Sequence, residues 1–140
     1  DYVAIHYAGG HGAMWDFADN SEIAAIAQQI YENNGVVSAV CHGPAGLVNI
    51  KLNDGSYLVD GKKVNSFTNE EEIRVNLENV VPFLLEDQLI ERGAIFEKSE
   101  PFTDHVVADQ RLVTGQNPQS AKSVGQATLN ELQKISKDTK

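Results

Sequence analysis

The sequence predicts an α/β sandwich with a mostly parallel sheet, and three features predict it. Strand-like and helix-like stretches alternate along the chain, the pattern that β-α-β connections produce. Val36-Val37-Ser38-Ala39-Val40 is a nearly continuous apolar run, as strands buried on both faces are. That run and an earlier one at residues 2–8 each end in a glycine-containing corner, Cys41-His42-Gly43-Pro44 and Gly9-Gly10-His11-Gly12. In open α/β sheets chemistry collects beyond the carboxyl ends of the strands. Neighbouring strands would bring both corners to one crevice.

Taken in order, residues 2–8 are rich in β-formers and stop at the glycine cluster. Asn20 or Ser21 caps an expected helix whose stripe is Ile23, Ile26, Ala27, Ile30 and Tyr31, with Gly35 as its C-terminal signal. The buried strand 36–40 follows, and a short helix at 45–49 starts from Pro44. Asp54-Gly55 and Asp60-Gly61 bracket Tyr57-Leu58-Val59, which reads with 63–67 as a small hairpin. Glu70-Glu71-Glu72 opens a helix, where negative charge suits the positive end of the dipole. A further helix is expected from Pro82 to Arg92, ended by Gly93. Residues 94–97, 105–108 and 111–114 read as short strands. Asn117-Pro118 starts a last helix with Ala121, Val124, Gly125, Thr128, Leu129 and Leu132 inward, and the tail after Ile135 reads as frayed.

The chain has 140 residues, 41% of them hydrophobic, which is room for one domain over residues 1–140 and too little for two. Eleven Lys and Arg face twenty Asp and Glu, giving a formal net charge of -9. Such a chain is repelled by phosphate backbones and anionic lipid surfaces, so neither nucleic acid nor a membrane is an expected partner. No apolar run approaches the ~20 residues that span a bilayer. One cysteine excludes an internal disulfide framework and a Cys-rich zinc module. Without a recognisable secretory leader, the lone thiol fits a reducing cytoplasm, the expected location.

Cys41 is the informative residue. It stands between a buried strand and a Pro-started helix, with Gly43 two residues on, the setting of a nucleophile elbow. A helix amino end behind it would lower the thiol pKa. The plainer alternative is a small buried hydrophobe, but a packing cysteine needs no tight turn after it. His42 is the candidate base beside the thiol, or else a partly buried histidine bonded to backbone. A third group must orient a catalytic imidazole. The trio 70–72 is the nearest supply, at least two of its members read as solvated, and local reasoning does not choose among them. Gly9 and Gly10 offer backbone N–H groups to a developing oxyanion. The cluster lacks the Lys-Ser/Thr of a phosphate loop. His6, His11, Asp16 and His105 match no helical ligand pair, so no metal site is expected. Trp15 and Phe17 are expected to pack or to wall the pocket.

Four segments occur in an order that resembles the ThiJ/PfpI superfamily. They are Ala8-Gly9-Gly10-His11-Gly12 with Trp15-Asp16-Phe17, then Ala39-Val40-Cys41-His42-Gly43-Pro44, then Ser66-Phe67-Thr68-Asn69-Glu70-Glu71-Glu72, then Leu112-Val113-Thr114-Gly115-Gln116-Asn117-Pro118. They look most like its heat-shock chaperone and glyoxalase III branch, which shares the class I glutamine amidotransferase-like fold. The resemblance implies a flavodoxin-like three-layer sandwich, no cofactor, and a Cys-His-Glu site of Cys41, His42 and Glu72. Glu72 lies five residues after Phe67, and a slip of one would make the acid Glu71. Gly10 and the His42 N–H would form the oxyanion site, with Gly9 and His11 beside them.

The implied reaction converts a small 2-oxoaldehyde, methylglyoxal, to lactate without glutathione or metal. Cys41 adds to the aldehyde, and His42 with Glu72 shuttles a proton between the two carbons. The alternatives are a deglycase-like hydrolase, a stress-inducible holdase and a redox sensor acting through Cys41 oxidation. The resemblance also implies a homodimer, and an N-terminal βαβ part ahead of the strand that leads into Ala8-Gly9-Gly10, with a Glu that contacts the nucleophile. The chain opens inside a strand-like run; the expectation is that this part is cleaved, absent or supplied by a second chain.

Overall fold

A computed structural model describes residues 2–138, and their side chains as far as residue 135. The elements are β1 (Ala4–Tyr7), α1 (Ala13–Asp16), α2 (Ser21–Glu32), β2 (Val36–Val40), β3 (Lys63–Val64), α3 (Asn69–Arg74), α4 (Leu85–Glu91), β4 (Ile95–Phe96), β5 (Val106–Asp109), β6 (Leu112–Gly115) and α5 (Ala121–Asp138). The main sheet runs β1-β2-β6-β5. β1 pairs parallel with β2, β2 parallel with β6, and β5 antiparallel with β6. This is the α/β, mostly parallel sandwich that the alternation of elements predicts.

β2 is central, and all five of its residues are buried. Its alternate side chains face opposite layers, as the two-residue period of a strand requires. Val37 and Ala39 enter the cluster with Ala27 and Tyr31 of α2, whereas Val36 and Val40 join Val124 of α5. That arrangement explains why the run reads as unbroken apolar sequence. β5 and β6 are joined by Gln110 and Arg111, both at positive φ (52° and 68°), the backbone of a two-residue hairpin turn. Arg111 secures it by donating to the carbonyls of Tyr31 and Gly35, both at 2.7 Å.

Several expectations are corrected. Ile26 and Leu129 are exposed rather than inward, and Gly125 also lies on the exposed side. Asn34, not Gly35, takes the left-handed conformation after α2, with φ 67°. The expected hairpin around 57–67 does not form. β3 pairs in parallel with β4, and Tyr57 makes only a single bridge to Lys51, because Leu58 and Val59 are spent as fully buried anchors. α4 begins after Leu84 rather than at Pro82, and the turn after Cys41 is a 3-10 helix over Gly43–Leu47. α5 continues past Ile135 to Asp138, where a frayed tail was expected; residues 139–140 lie outside the described residues. No helix among the described residues is long and apolar enough to cross a membrane.

Candidate active site

The parallel pairing of β1 with β2 sets Tyr7 against Ala39, so the loop at 8–12 and the corner at 41–44 leave the sheet side by side. The approach is close. A Cβ on Gly9 would lie 3.0 Å from Cys41 Cβ, and one on Gly43 would lie 2.2 Å from the Tyr7 carbonyl oxygen. Both positions therefore need glycine for space. Cys41 itself sits at φ 64°, a left-handed conformation that costs a Cβ-bearing residue about 1–2 kcal/mol. Strain of this kind gathers at functional turns, and here it aims the thiol away from the strand axis.

The third segment is brought in by backbone bonds. Phe67 N–H donates to the Cys41 carbonyl at 2.8 Å, and Asn65 N–H donates to Thr114 Oγ1 at 2.9 Å. Thr68 then caps α3 in a reciprocal capping box with Glu71. Glu71 accepts from Thr68 N–H and hydroxyl, and also from Phe102 N–H and Asn117 Nδ2, at 2.8–3.1 Å. Its carboxylate is wholly occupied in tying α3 to the 102 and 117 loops. Glu72, one position on, faces the other way. It accepts from His42 Nε2 at 2.8 Å and from His11 Nε2 at 2.7 Å, one imidazole on each oxygen. Of the acidic trio only Glu70 is solvated, not the two or more expected.

The site is a line of three side chains with a fourth beside it. Cys41 Sγ lies 3.4 Å from His42 Nδ1, whose ring is 0% exposed, and Glu72 beyond it is 2% exposed. His11, 33% exposed, stacks on the His42 ring with centroids 3.9 Å apart. Phe67 lies beside both imidazoles, with centroids 4.3 Å from His42 and 5.6 Å from His11, and in turn meets Phe102 edge-on. Burial opposes ionisation of Glu72 most strongly, yet the bonds from the two histidines outweigh it and hold the carboxyl below its usual value. An ionised carboxylate only accepts. Both Nε2 atoms are therefore protonated in the neutral imidazoles, and His42 presents an Nδ1 lone pair to the thiol.

The thiol differs from expectation. Burial pushes Cys41 up to about 11, opposed by the N–H groups of Gly10 and His42 and reinforced by the charges of Glu71 and Glu72. The expected lowering does not occur, since Cys41 is only 6% exposed and the 3-10 turn behind it offers little dipole. The resting group is a thiol donating to His42 Nδ1. Gly10, at φ 109°, supplies one of the two N–H groups that converge on Sγ.

Of the residues singled out from sequence, Cys41, His42, Glu72, Gly9, Gly10 and His11 come together here. His6 bonds Ser38, and His105 bonds Ser99. Trp15 is exposed, and Phe17 packs on Tyr7 away from the thiol. The bond from His11 to Glu72, sixty-one residues apart, was not foreseen, nor was the Asn117 bond to Glu71; no local signal announces either. His11, His42 and Glu72 also place three potential ligand atoms within 4.8 Å of one another, with the two Nε2 atoms engaged as donors to the carboxylate.

A left-handed cysteine between a parallel strand and a helical turn, backed by His and Glu, defines an α/β protein with a buried thiol at a strand-to-helix corner. The chain belongs to the DJ-1/PfpI family, whose pattern spans residues 1–131. It is 41% identical over 137 residues to the fission yeast Schizosaccharomyces pombe protein named probable glutathione-independent glyoxalase hsp3104, covering 94% of this chain and 62% of that protein. Its fold matches the crystal structure of glyoxalase III from Candida albicans with a TM-score of 0.89 at 32% identity, over 93% of this chain and 57% of that one. The Rapid Encystment Protein of Francisella tularensis matches with a TM-score of 0.91 at 45% identity, over 94% of this chain and 58% of that one. The chain thus spans about three fifths of the length of these relatives.

Proposed function

We propose that this chain carries the thiol site of a glutathione-independent glyoxalase acting on small 2-oxoaldehydes such as methylglyoxal. The observation that carries the reading is the line from Cys41 Sγ through His42 to Glu72, at 3.4 Å and 2.8 Å. The naming of the fission yeast relative as a probable glutathione-independent glyoxalase supports it.

The chemistry follows from the protonation states. Cys41 Sγ bonds to the aldehyde carbon, C1, while His42 Nδ1 takes the thiol proton; the Glu72 carboxylate steadies the imidazolium. The imidazolium returns that proton to the aldehyde oxygen, giving a hemithioacetal. The N–H groups of Gly10 and His42 stabilise charge on that oxygen during addition. The C1 proton then leaves as the C2 carbonyl oxygen takes up a proton, giving an enediol; a proton is next delivered to C2 as the C1 hydroxyl gives up its own. The product is a thioester of the 2-hydroxy acid: C1 has been oxidised, C2 reduced, and no outside oxidant is used. Water cleaves the thioester and restores the thiol.

The test is methylglyoxal loss with D-lactate appearance, without glutathione or added metal, for the purified protein and for Cys41→Ala. Turnover in the first alone supports the reading. Turnover in both overturns the thiol mechanism, and turnover in neither overturns the glyoxalase.

A further inference from the structure

We propose that His11 is a second catalytic base, and that its Nδ1 carries the C1 proton of the thiol-bound oxoaldehyde to C2. The inference rests on the glyoxalase reading and departs from it on which imidazole handles the carbon-bound proton.

The Glu72 carboxylate spans two imidazoles, with Oε2 on His42 Nε2 and Oε1 on His11 Nε2. Because it accepts from both, it sets the same tautomer in both rings, with the proton on Nε2 and the lone pair on Nδ1. The two lone pairs are not equivalent. That of His42 lies against Cys41 Sγ, 3.4 Å away, in a ring that is 0% exposed and in contact with both His11 and Phe67. Its position suits the sulfur proton and the aldehyde oxygen, both of which gather around Sγ. His11 Nδ1 accepts no hydrogen bond from any described residue, and its ring is one-third exposed. The loop that carries it passes directly against Cys41, with Gly9 close enough that a Cβ there would meet the cysteine Cβ at 3.0 Å.

The reaction needs two kinds of proton transfer. One accompanies thiol addition and runs between sulfur and oxygen. The other breaks C1–H and makes C2–H, with both electrons of the C1–H bond passing into the enediol. It requires a lone pair beside two adjacent carbons rather than one fixed on sulfur. His11 brings to the loop that passes against Cys41 an imidazole anchored at Nε2 and unengaged at Nδ1. A base within reach of solvent also suits the activation of the water that cleaves the thioester.

The experiment compares the purified protein with His11→Gln, whose amide N–H keeps a donor for Glu72. Three quantities are read: protection of Cys41 from iodoacetamide by methylglyoxal, loss of deuterium from C1-deuterated methylglyoxal, and lactate formation with its isotope effect. His11→Gln is expected to leave thiol capture within about threefold. Turnover and deuterium loss should fall together by about 10²–10⁴-fold, the usual weight of a general base, and added imidazole should restore part of both. Turnover of His11→Gln within about threefold of the unmodified protein overturns the proposal. So does a loss confined to thiol capture, which would make His11 a positioning residue. Where the unmodified protein exchanges deuterium but releases no lactate, the glyoxalase reading fails, and His11 stands only if His11→Gln abolishes the exchange. Capture with neither exchange nor lactate in the unmodified protein overturns both.

Discussion

Glu71 and Glu72 are adjacent, equally hidden from solvent and chemically identical, so exchanging each for glutamine separates holding the fold from serving the thiol. Glu71→Gln keeps the shape but turns one acceptor oxygen into an NH₂ facing donors. Two of its four bonds come from Thr68 and two from Phe102 and Asn117. With its NH₂ towards Phe102 and Asn117 the amide loses both of those bonds; turned towards Thr68 it leaves the Thr68 N–H unpaired, while the hydroxyl can turn to accept. At about 1.5–3 kcal/mol for a hydrogen bond to a charged group, and with the remaining bonds deprived of that charge, Glu71→Gln should cost about 3 kcal/mol or more of stability. Glu72→Gln takes the charge from both imidazole bonds, about 1.5–3 kcal/mol by the same measure. Its chemical effect is larger. An amide N–H facing His42 Nε2 forces that ring to move its proton to Nδ1, where it can no longer accept from Cys41. An amide oxygen facing His42 leaves a neutral group behind the imidazolium. Urea unfolding monitored by Trp15 fluorescence, alongside methylglyoxal turnover at a denaturant-free temperature well below melting, reads both. Glu72→Gln should lose about 10²–10⁴-fold in turnover with modest destabilisation, and Glu71→Gln should show the reverse. Full turnover in Glu72→Gln, with loss in a folded Glu71→Gln, would refute the assignment and the tautomer argument together.

Two further outcomes follow from the same corner. Because the resting thiol is pushed up to about 11, the rate of Cys41 alkylation by iodoacetamide should keep rising with pH through the range 8–10; a plateau below pH 8 would show a preformed thiolate instead. Gly43→Ala places a Cβ 2.2 Å from the Tyr7 carbonyl oxygen and 3.0 Å from that of Ala8, both backbone atoms. It should cost about 3 kcal/mol or more and abolish turnover even where the protein still folds; a melting temperature unchanged from the parent would contradict the packing described.

The parts of the fold legible in the sequence are those governed by period. An unbroken apolar run announces the central strand because both its faces are covered, and Asn20, whose side chain accepts from Ile23 N–H, caps the helix where its residue type predicts. The parts that stayed hidden depend on partners far along the chain. β3 is two residues long and exists only because β4, some thirty residues later, lies beside it; the local turn pairs pointed to a hairpin instead. The Gln110-Arg111 turn carries none of the usual Asn-Gly or Asp-Gly chemistry and is held by a guanidinium that reaches back to Tyr31 and Gly35. At the site, the glycines and Pro44 mark the corner, and the resemblance indicates Glu72. Which glutamate meets His42 is nonetheless a matter of helix phase: α3 turns about 100° per residue, so once Thr68 fixes Glu71 in the capping box, Glu72 is rotated towards the imidazoles.

That phase has a consequence for what the thiol can do. A redox-sensing cysteine works as an accessible thiolate, because both oxidation and exchange proceed through the anion. Cys41 is 6% exposed, and burial together with the charges of Glu71 and Glu72 holds it protonated up to about 11. The same Glu72 that disfavours a resting thiolate accepts from His42 Nε2 and leaves Nδ1 as the acceptor for the thiol proton. The arrangement therefore stores no reactive sulfur in advance. It generates one only as an electrophilic carbon arrives to take the sulfur lone pair and an oxygen beside it becomes ready to receive the proton. An aldehyde brings both atoms at once. A peroxide brings an electrophilic oxygen, yet it must reach a neutral, buried thiol. Electrostatics and burial thus separate the two chemistries that a lone cysteine on an elbow leaves open, and they favour carbonyl addition over peroxide sensing.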